Sequence, residues 1–184
     1  MIKIHPTADV QSKNIGDNTS IWQYVVVLPN AQIGKNCNIC SHCFIENDVK
    51  IGDNVTLKFF VEVCDGVTLE NDVFVAPNVS FTNDFNPRSK KTLMKPARTL
   101  VKEGASIAAG VALKPGITIG KYAFIGLGSV VTKDIPDFTV WLGNPAKQRG
   151  YVTKDAVLLD SKLWCKETKK QYKLNEQGEP IELY

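Results

Sequence analysis

Aliphatic or aromatic residues recur at every sixth position along most of the chain. One series runs from Ile15 to Phe81 and a second from Val101 to Val131. A small or β-branched residue follows four positions after most of them, as Cys43 follows Ile39. An α-helix and an alternating strand have other periods, whereas tandem hexapeptides are typical of a parallel β-helix. The pattern therefore predicts an all-β solenoid of short parallel strands.

The period also predicts which residues stack. If three hexads form one coil, residues 18 apart lie above each other at a spacing of roughly 4.8 Å. The chain then forms four coils before the interruption and two after it, and the solenoid is about 30 Å tall. The fourth residue of each hexad should turn a corner with positive φ, because it is usually Asn, Asp or Gly. These residues are Asn18, Asn30, Asn36, Asp48, Asn54, Gly66, Asp72, Asn78, Asp84, Gly104, Gly110, Gly116 and Gly128.

The corners fall into three columns of different chemistry. The first, which begins with Gly16, is small and polar and predicts plain solvent-facing corners. The second carries Trp22, Phe59 and Phe60, and a run of bulky exposed residues indicates a contact surface, either for another subunit or for a stacked ligand. The third column stacks polar residues into a ladder, namely Asn47, Asp65 and Asn83.

Composition narrows the class of protein. The 184 residues are 43% hydrophobic and 22% charged, which is ordinary for one globular domain with an appendage. The net charge of +3 is too small and dispersed to favour a nucleic-acid partner. No apolar run approaches the roughly 18 residues of a membrane span, and the N-terminus lacks the apolar core of a signal peptide. We therefore expect a cytoplasmic protein that binds neither nucleic acid nor membrane.

Three of the five cysteines have a spacing that resembles metal ligands. Cys37, Cys40 and Cys43 read C-x2-C-x2-C. The hexad, however, assigns Cys37 and Cys43 to core positions on different walls and Cys40 to a corner, so their sulfurs should not converge. We predict neither a metal site nor a disulfide framework.

Residues 82–100 interrupt the repeat, and loops of this length are more often functional than not. The interruption carries five cationic residues, which suit a phosphate or diphosphate, although a solvated basic loop is the alternative. They are Arg88, Lys90, Lys91, Lys95 and Arg98.

The period is lost near the C-terminus. We divide the chain into a β-helix over residues 1–150, with its insertion at 82–100, and a tail over 151–184. Residues 163–165 and 171–174 of the tail should pair as a hairpin that covers an open end or edge of the solenoid.

The repeat resembles the left-handed parallel β-helix of the hexapeptide-repeat acyltransferases. The left hand is implied by this family, since general crossover rules favour the right. Residues 130–136 followed by 143–147 resemble the exit that borders the coenzyme A site in that superfamily. Residues 44–49 together with 81–89 resemble the bacterial nucleotide-sugar 3-N-acetyltransferases, which acetylate a 3-amino sugar on UDP or dTDP for cell-surface polysaccharide such as lipopolysaccharide O-antigen.

This resemblance implies an acetyl-CoA-dependent N-acetyltransferase that forms a homotrimer with sites between subunits. The tail, with Cys165, leads us to expect the UDP-2-acetamido-3-amino-2,3-dideoxy-glucuronate type. A dTDP-3-amino-3,6-dideoxyhexose N-acetyltransferase is the alternative, and a non-catalytic hexapeptide scaffold is the alternative of another class.

Acetyl transfer to an amine needs an aimed thioester, a stabilised oxyanion and a proton acceptor. We assign the catalytic role to Asn83, which matches a family position beside the amine. His42 and Asp84 are candidate bases, and Glu62 and Asp65 are further candidates for the proton acceptor. His42 could instead be a residue that tolerates a left-handed corner, and the departing thiolate could accept the proton. Candidate substrate-binding residues are Glu62, Asp65, Arg88 and Phe59. The coenzyme residues implied by the resemblance are Ala108, Gly126, Lys133, Asn144, Lys147 and Arg149.

Overall fold

The computed structural model describes residues 1–92 and 95–183, and within these ranges it contains 25 β-strands and no α-helix. None of its described residues forms a helix long and apolar enough to span a membrane. The strands are β1 (Lys3–Ile4), β2 (Asp9–Val10), β3 (Asn14–Ile15), β4 (Ser20–Ile21), β5 (Val26–Val27), β6 (Gln32–Ile33), β7 (Asn38–Ile39), β8 (Phe44–Ile45), β9 (Lys50–Ile51), β10 (Thr56–Leu57), β11 (Glu62–Val63), β12 (Val67–Leu69), β13 (Phe74–Val75), β14 (Thr99–Val101), β15 (Ser106–Ile107), β16 (Ala112–Leu113), β17 (Thr118–Ile119), β18 (Phe124–Ile125), β19 (Val130–Val131), β20 (Thr139–Leu142), β21 (Lys147–Val152), β22 (Leu158–Asp160), β23 (Trp164–Cys165), β24 (Lys170–Leu174) and β25 (Pro180–Glu182).

The strands build three parallel walls, and the predicted left-handed parallel β-helix is confirmed. Wall A contains β1, β4, β7, β10, β13, β15, β18 and β20. Wall B contains β2, β5, β8 and β11, then β16 and β19, and an isolated bridge at Ser80 joins the two groups. Wall C contains β3, β6, β9, β12, β14 and β17. Thr56 pairs with Asn38, which confirms the predicted 18-residue register.

The solenoid is longer than predicted. Among the described residues, wall A has eight parallel strands rather than the six coils that the period predicts, so its height is about 34 Å. One added coil is N-terminal, where Lys3 pairs with Ser20 at a separation of 17 residues, and the other is completed by β20. The shorter first coil falls outside an 18-residue count, which is why the period does not find it.

Two residues of each hexad fill the core. The aliphatic residue points inward, and Ile39, Leu57 and Ile125 are fully buried. The small residue four positions later is also buried, as at Cys43 and Ala123. Because the three walls converge on a narrow axis, one large and one small inward side chain per wall fill the interior at normal packing density.

The predicted positive φ is found at most corners but is wrong at three of them. Asn18, Asn36 and Asn54 have φ of 62°, 56° and 60°, whereas Asn30, Asp48 and Asp84 are not among the described residues with positive φ. The backbone N–H of Asn30 donates to Asn47 Oδ1 at 3.2 Å, and that of Asp48 donates to Asp65 Oδ1 at 2.6 Å. Each corner is named by the two walls that it joins, and these two are B–C corners. Here a side chain of the next coil binds the corner amide, so the left-handed turn is not needed. At Asp84, whose carboxylate instead binds the Asn86 amide, the chain leaves the solenoid.

The insertion leaves the solenoid at a B–C corner without disturbing the register. Leu69 in β12 pairs with Val101 in β14, a separation of 32 residues rather than 18, so this corner holds 14 additional residues. Pairing continues normally from Val101 to Ile119 in the next coil.

The C-terminal strands reverse direction and cover one edge of the solenoid. Strand β21 pairs antiparallel with β20 and then with β22, and it crosses residue 150, the expected boundary of the β-helix. The predicted hairpin is confirmed by the pairing of Trp164 with Gln171, and β25 adds a third strand that the sequence does not reveal. A second small core of Leu159, Cys165 and Tyr172 holds the tail together.

Candidate active site

The polar ladder predicted at the B–C corners is present and holds Asn83 in place. Asn83 Nδ2 donates to the Asp65 carbonyl at 3.1 Å, and the Asp65 N–H donates to Glu46 Oε2 at 2.6 Å. The Asp65 carboxylate binds the amide of Asp48 at 2.6 Å. Asn83 is half-buried, so these contacts restrict its amide to one orientation. The sequence did not assign Glu46 a role, because it lies one corner position away from the ladder.

A cleft of about 320 Å³ lies beside Asn83, where the insertion leaves and rejoins the solenoid. The cleft is within the size range of small-ligand sites. The N–H of Ala97 donates to the Asn83 carbonyl at 2.9 Å and closes the neck of the insertion. Asp84 Oδ1 accepts the Asn86 N–H at 2.8 Å. The lining residues are Asn83, Asp84, Phe85, Asn86, Lys95, Pro96, Ala97 and Arg98.

The cations of the insertion have different environments. Arg98 is 2.7 Å from Asp48, and its pKa is raised first by the hydrogen bond to that carboxylate and then by its charge. Lys91 donates to the Asn86 carbonyl at 3.1 Å, whereas Lys95 lines the cleft. Arg88 is exposed and donates to the carbonyl of Pro87 at 2.9 Å. Lys95 and Arg88 are therefore better placed than Arg98 to meet a phosphate.

The bulky column forms a stack of aromatic rings at the A–B corners. His42 lies between Tyr24 and Phe60, with ring centroids at 5.0 and 4.9 Å. Phe59 meets Phe60 edge to face at 5.9 Å, and the indole N–H of Trp22 donates to Asn38 at 2.7 Å. Phe60 is 55% exposed, although it packs on His42 within the chain. The stack thus remains available to a partner or ligand, as the sequence led us to expect.

A single chain does not bring His42 and Asn83 together. His42 follows β7 at an A–B corner. Asn83 belongs to the coil that begins with β13 and lies at its B–C corner. The two residues are separated by two coils along the solenoid axis, which is about 10 Å. They are separated around the coil by one wall of six residues, which spans at most about 20 Å. Asn83, Asp84 and Asp65 are clustered, but Glu62 is exposed on wall B and Phe59 belongs to the aromatic stack.

Two of the six coenzyme candidates, Ala108 and Gly126, share one column above the aromatic stack. They lie at successive A–B corners, where the Ala108 N–H donates to the Ile125 carbonyl and that of Gly126 donates to the Trp141 carbonyl, whereas Asn144 lies in the turn between β20 and β21. Gly110 and Gly128 share this column, and a Cβ on either would meet nothing within 4 Å. The corner is therefore open at these two glycines. The sequence marks both glycines as corner residues but not as part of a binding surface.

The other coenzyme candidates lie apart. Lys133 is at a B–C corner with its Nζ 5.1 Å from the centre of the Trp141 ring. Lys147 is exposed and pairs with Leu142, close to the upper corner column. Arg149 lines a different cleft of about 300 Å³ beside Trp164 in the tail. Of these three, Lys147 is the nearest to the column of Ala108 and Gly126.

The cysteines occupy the positions assigned by the hexad. Cys37 and Cys43 are buried, and Cys40 is half-buried at a corner. Burial raises the pKa of Cys43 to about 11 and that of Cys64 to about 12. Both thiols are therefore protonated at neutral pH. Across residues 1–92 and 95–183, no group of three or more His, Cys, Asp or Glu side chains is arranged to hold a metal ion.

Comparison with known proteins identifies the family. The family described as bacterial transferase hexapeptide (six repeats) matches residues 12–47. The dTDP-3-amino-3,6-dideoxy-alpha-D-galactopyranose 3-N-acetyltransferase of Aneurinibacillus thermoaerophilus is 52% identical over 173 residues, which cover 92% of this chain and 90% of that protein. The chain belongs to the hexapeptide-repeat acetyltransferases. With this identity, the alternative of a scaffold without catalysis is dropped.

Solved structures share the fold of this acetyltransferase at low sequence identity. UDP-N-acetylglucosamine acyltransferase from Campylobacter jejuni has a TM-score of 0.54 at 17% identity, with 81% of this chain and 75% of that chain covered. A Vibrio cholerae O1 biovar eltor hexapeptide-repeat acetyltransferase complexed with acetyl coenzyme A has a TM-score of 0.52 at 19% identity, with 74% and 69% covered. A Bacillus cereus N-acyltransferase in complex with dTDP and 3-hydroxybutyryl-CoA has a TM-score of 0.50 at 16% identity, with 84% and 81% covered.

Proposed function

We propose that this enzyme transfers the acetyl group of acetyl-CoA to the 3-amino group of a dTDP-linked 3-amino-3,6-dideoxyhexose. The observation that carries the proposal is the 52% identity, over 92% of the chain, to a relative named for that reaction. The relative supports the dTDP alternative better than the UDP-glucuronate type expected first from the tail.

The cleft beside Asn83 suits this sugar. Phe85, Pro96 and Ala97 give it apolar surface, which favours a 6-methyl group over the carboxylate of a uronic acid. Lys95 lies in the same cleft and Arg88 on the same insertion, so both are assigned to the diphosphate.

Asn83 is assigned to orient the amine. Its Nδ2 is bound by the Asp65 carbonyl, and because the two polar atoms of an amide diverge, Oδ1 faces away from that carbonyl. Oδ1 can then accept an N–H from the 3-amino group and direct the nitrogen lone pair at the thioester carbonyl. The new C–N bond forms as the C–S bond breaks, and the amine proton passes to Asp84, to His42 or to the departing coenzyme A thiolate.

The coenzyme is assigned to the upper A–B corner column. The open surface at Gly110 and Gly128 would accommodate pantetheine, and Lys147 would meet a phosphate. His42 and Asn83 lie at different corners, so a site that uses both would take them from two subunits of the expected homotrimer, which remains a prediction. The cytoplasmic location expected from the sequence remains a prediction.

The test is incubation of the purified enzyme with acetyl-CoA and either dTDP-3-amino-3,6-dideoxygalactose or the UDP-linked 3-amino uronate, followed by mass spectrometry. We expect the mass of one acetyl group to be added to the dTDP sugar, at a kcat/KM well above that for the UDP sugar. A matched dTDP sugar with a 3-hydroxyl group is the control and should gain no acetyl group. The absence of acetylation of the dTDP amino sugar would overturn the proposal.

A further inference from the structure

An ion pair and backbone hydrogen bonds join the neck of the insertion to the solenoid. The chain leaves at Asn83 and returns through Ala97, whose N–H binds the Asn83 carbonyl at 2.9 Å. The next residue, Arg98, reaches past the intervening coil to place Nη1 2.7 Å from Asp48 Oδ2. The intervening corner is Gly66, where an added Cβ would collide with the Ala97 carbonyl oxygen. The returning chain therefore lies directly against the solenoid, where the Thr99 N–H donates to the Gly66 carbonyl at 3.2 Å and the Arg98 side chain is paired with Asp48.

Asp48 is connected to Asn83 by a second route. Its backbone N–H donates to the Asp65 carboxylate at 2.6 Å, and the Asp65 carbonyl accepts from Asn83 Nδ2 at 3.1 Å. One route thus reaches the side chain of Asn83, and the other reaches its carbonyl through Arg98 and Ala97. The hydrogen-bond route uses only the backbone of Asp48, so a substitution of its side chain removes only the route through the ion pair.

We propose that Asp48 is a positioning residue for acetyl transfer, which acts by holding Arg98 and thereby fixing the neck of the insertion against Asn83. This inference rests on the proposed function, because Asn83 and the cleft are the assigned amino-sugar site. The ion pair keeps the walls of the cleft at Pro96 and Ala97 at a fixed distance from Asn83. Loss of the pair would loosen one side of the sugar site and leave the coenzyme column unchanged.

The test compares Asp48→Asn with Lys121→Gln, which removes a similar exposed pair, Lys121 with Glu103 at 3.2 Å, at a corner outside the assigned site. Steady-state kinetics give KM for each substrate, and hydrogen exchange measures the amide of Ala97. For Asp48→Asn we expect about a threefold higher KM for the sugar nucleotide, an unchanged KM for acetyl-CoA, and faster exchange at Ala97. The charge-swapped variant Asp48→Arg/Arg98→Asp should restore most of the sugar-nucleotide KM.

Kinetics and exchange that match those of Lys121→Gln would overturn the inference. A lower KM for the sugar nucleotide would also overturn it, since Asp48 would then be withholding Arg98 from the diphosphate. Failure of the proposed function is distinguishable, because the unaltered enzyme would acetylate none of the 3-amino sugar nucleotides. In that case the exchange at Ala97 still decides whether Asp48 fastens the neck.

Discussion

Gly128→Ala tests whether the upper A–B corner column holds the coenzyme. Gly128 has φ of 64°, and a Cβ there would meet nothing within 4 Å in the chain itself. The substitution therefore costs only the strain of a left-handed alanine, about 1–2 kcal/mol. Gly178 in the tail is a matched control, because it has φ of 78° and equally open surroundings.

If pantetheine lies along this corner, the added methyl group takes space that the coenzyme needs. A loss of about 1.4 kcal/mol in coenzyme binding corresponds to a tenfold higher KM for acetyl-CoA. We expect that increase for Gly128→Ala, an unchanged KM for the sugar nucleotide, and normal values of both for Gly178→Ala. The two variants should lose similar thermal stability.

The assay follows release of the coenzyme A thiol with a chromogenic disulfide while acetyl-CoA is varied. Light scattering on the same samples reports the oligomer. Equal KM values for acetyl-CoA in the two variants would refute the assignment of the column. A variant that dissociates would show that the corner contacts a subunit rather than the coenzyme.

Three other predictions follow from the site and the core. Asn83→Ala should lower kcat for the amino sugar about 100-fold with the oligomer intact by light scattering; near-normal turnover would remove Asn83 from the site. Lys95→Gln should raise KM for the sugar nucleotide several-fold and weaken its dependence on salt, and an unchanged salt dependence would contradict a phosphate contact. Burial raises the pKa of Cys43 from 9.0 to about 11, so its neutral thiol contributes stability that is fully present below pH 9 and lost as pH rises through 11. Ala123 occupies the same hexad position as Cys43, so Cys43→Ala places there a residue that the core accepts elsewhere. Denaturant titrations at pH 9 and 11 should show that this variant loses about 2 kcal/mol less unfolding free energy between the two pH values than the parent. Identical losses in variant and parent would contradict the raised pKa of Cys43.

The regular part of the fold was predictable because one inward residue per hexad is enough to set the register. Ile39 and Leu57 are partners in adjacent coils, as counting by 18 predicts. The first coil was not predicted by counting in steps of 18, because its spacing to the second coil is 17 residues. The positive φ predicted for Asp48 is not found, because its backbone N–H donates to a side chain of another coil, Asp65.

The candidate site was predictable only where its residues share a column. Asp65 and Asn83 are 18 residues apart, so their contact follows from the period. Arg98 follows the 14-residue insertion, and no count along the chain relates it to Asp48. The period of one chain also carries no information on the neighbouring subunit, so the expected pairing of His42 with Asn83 across subunits could not be derived from it.

The unbroken register across the insertion has a consequence for how this enzyme could change its substrate. Val101 pairs with Leu69 as if the 14 additional residues were absent, so the hydrogen-bonded walls do not depend on what the insertion contains. Its length and composition are therefore free to vary while the scaffold and the proposed coenzyme column remain the same. The same solenoid could acquire a different sugar preference by exchange of this one segment, provided that the residues at its neck are kept.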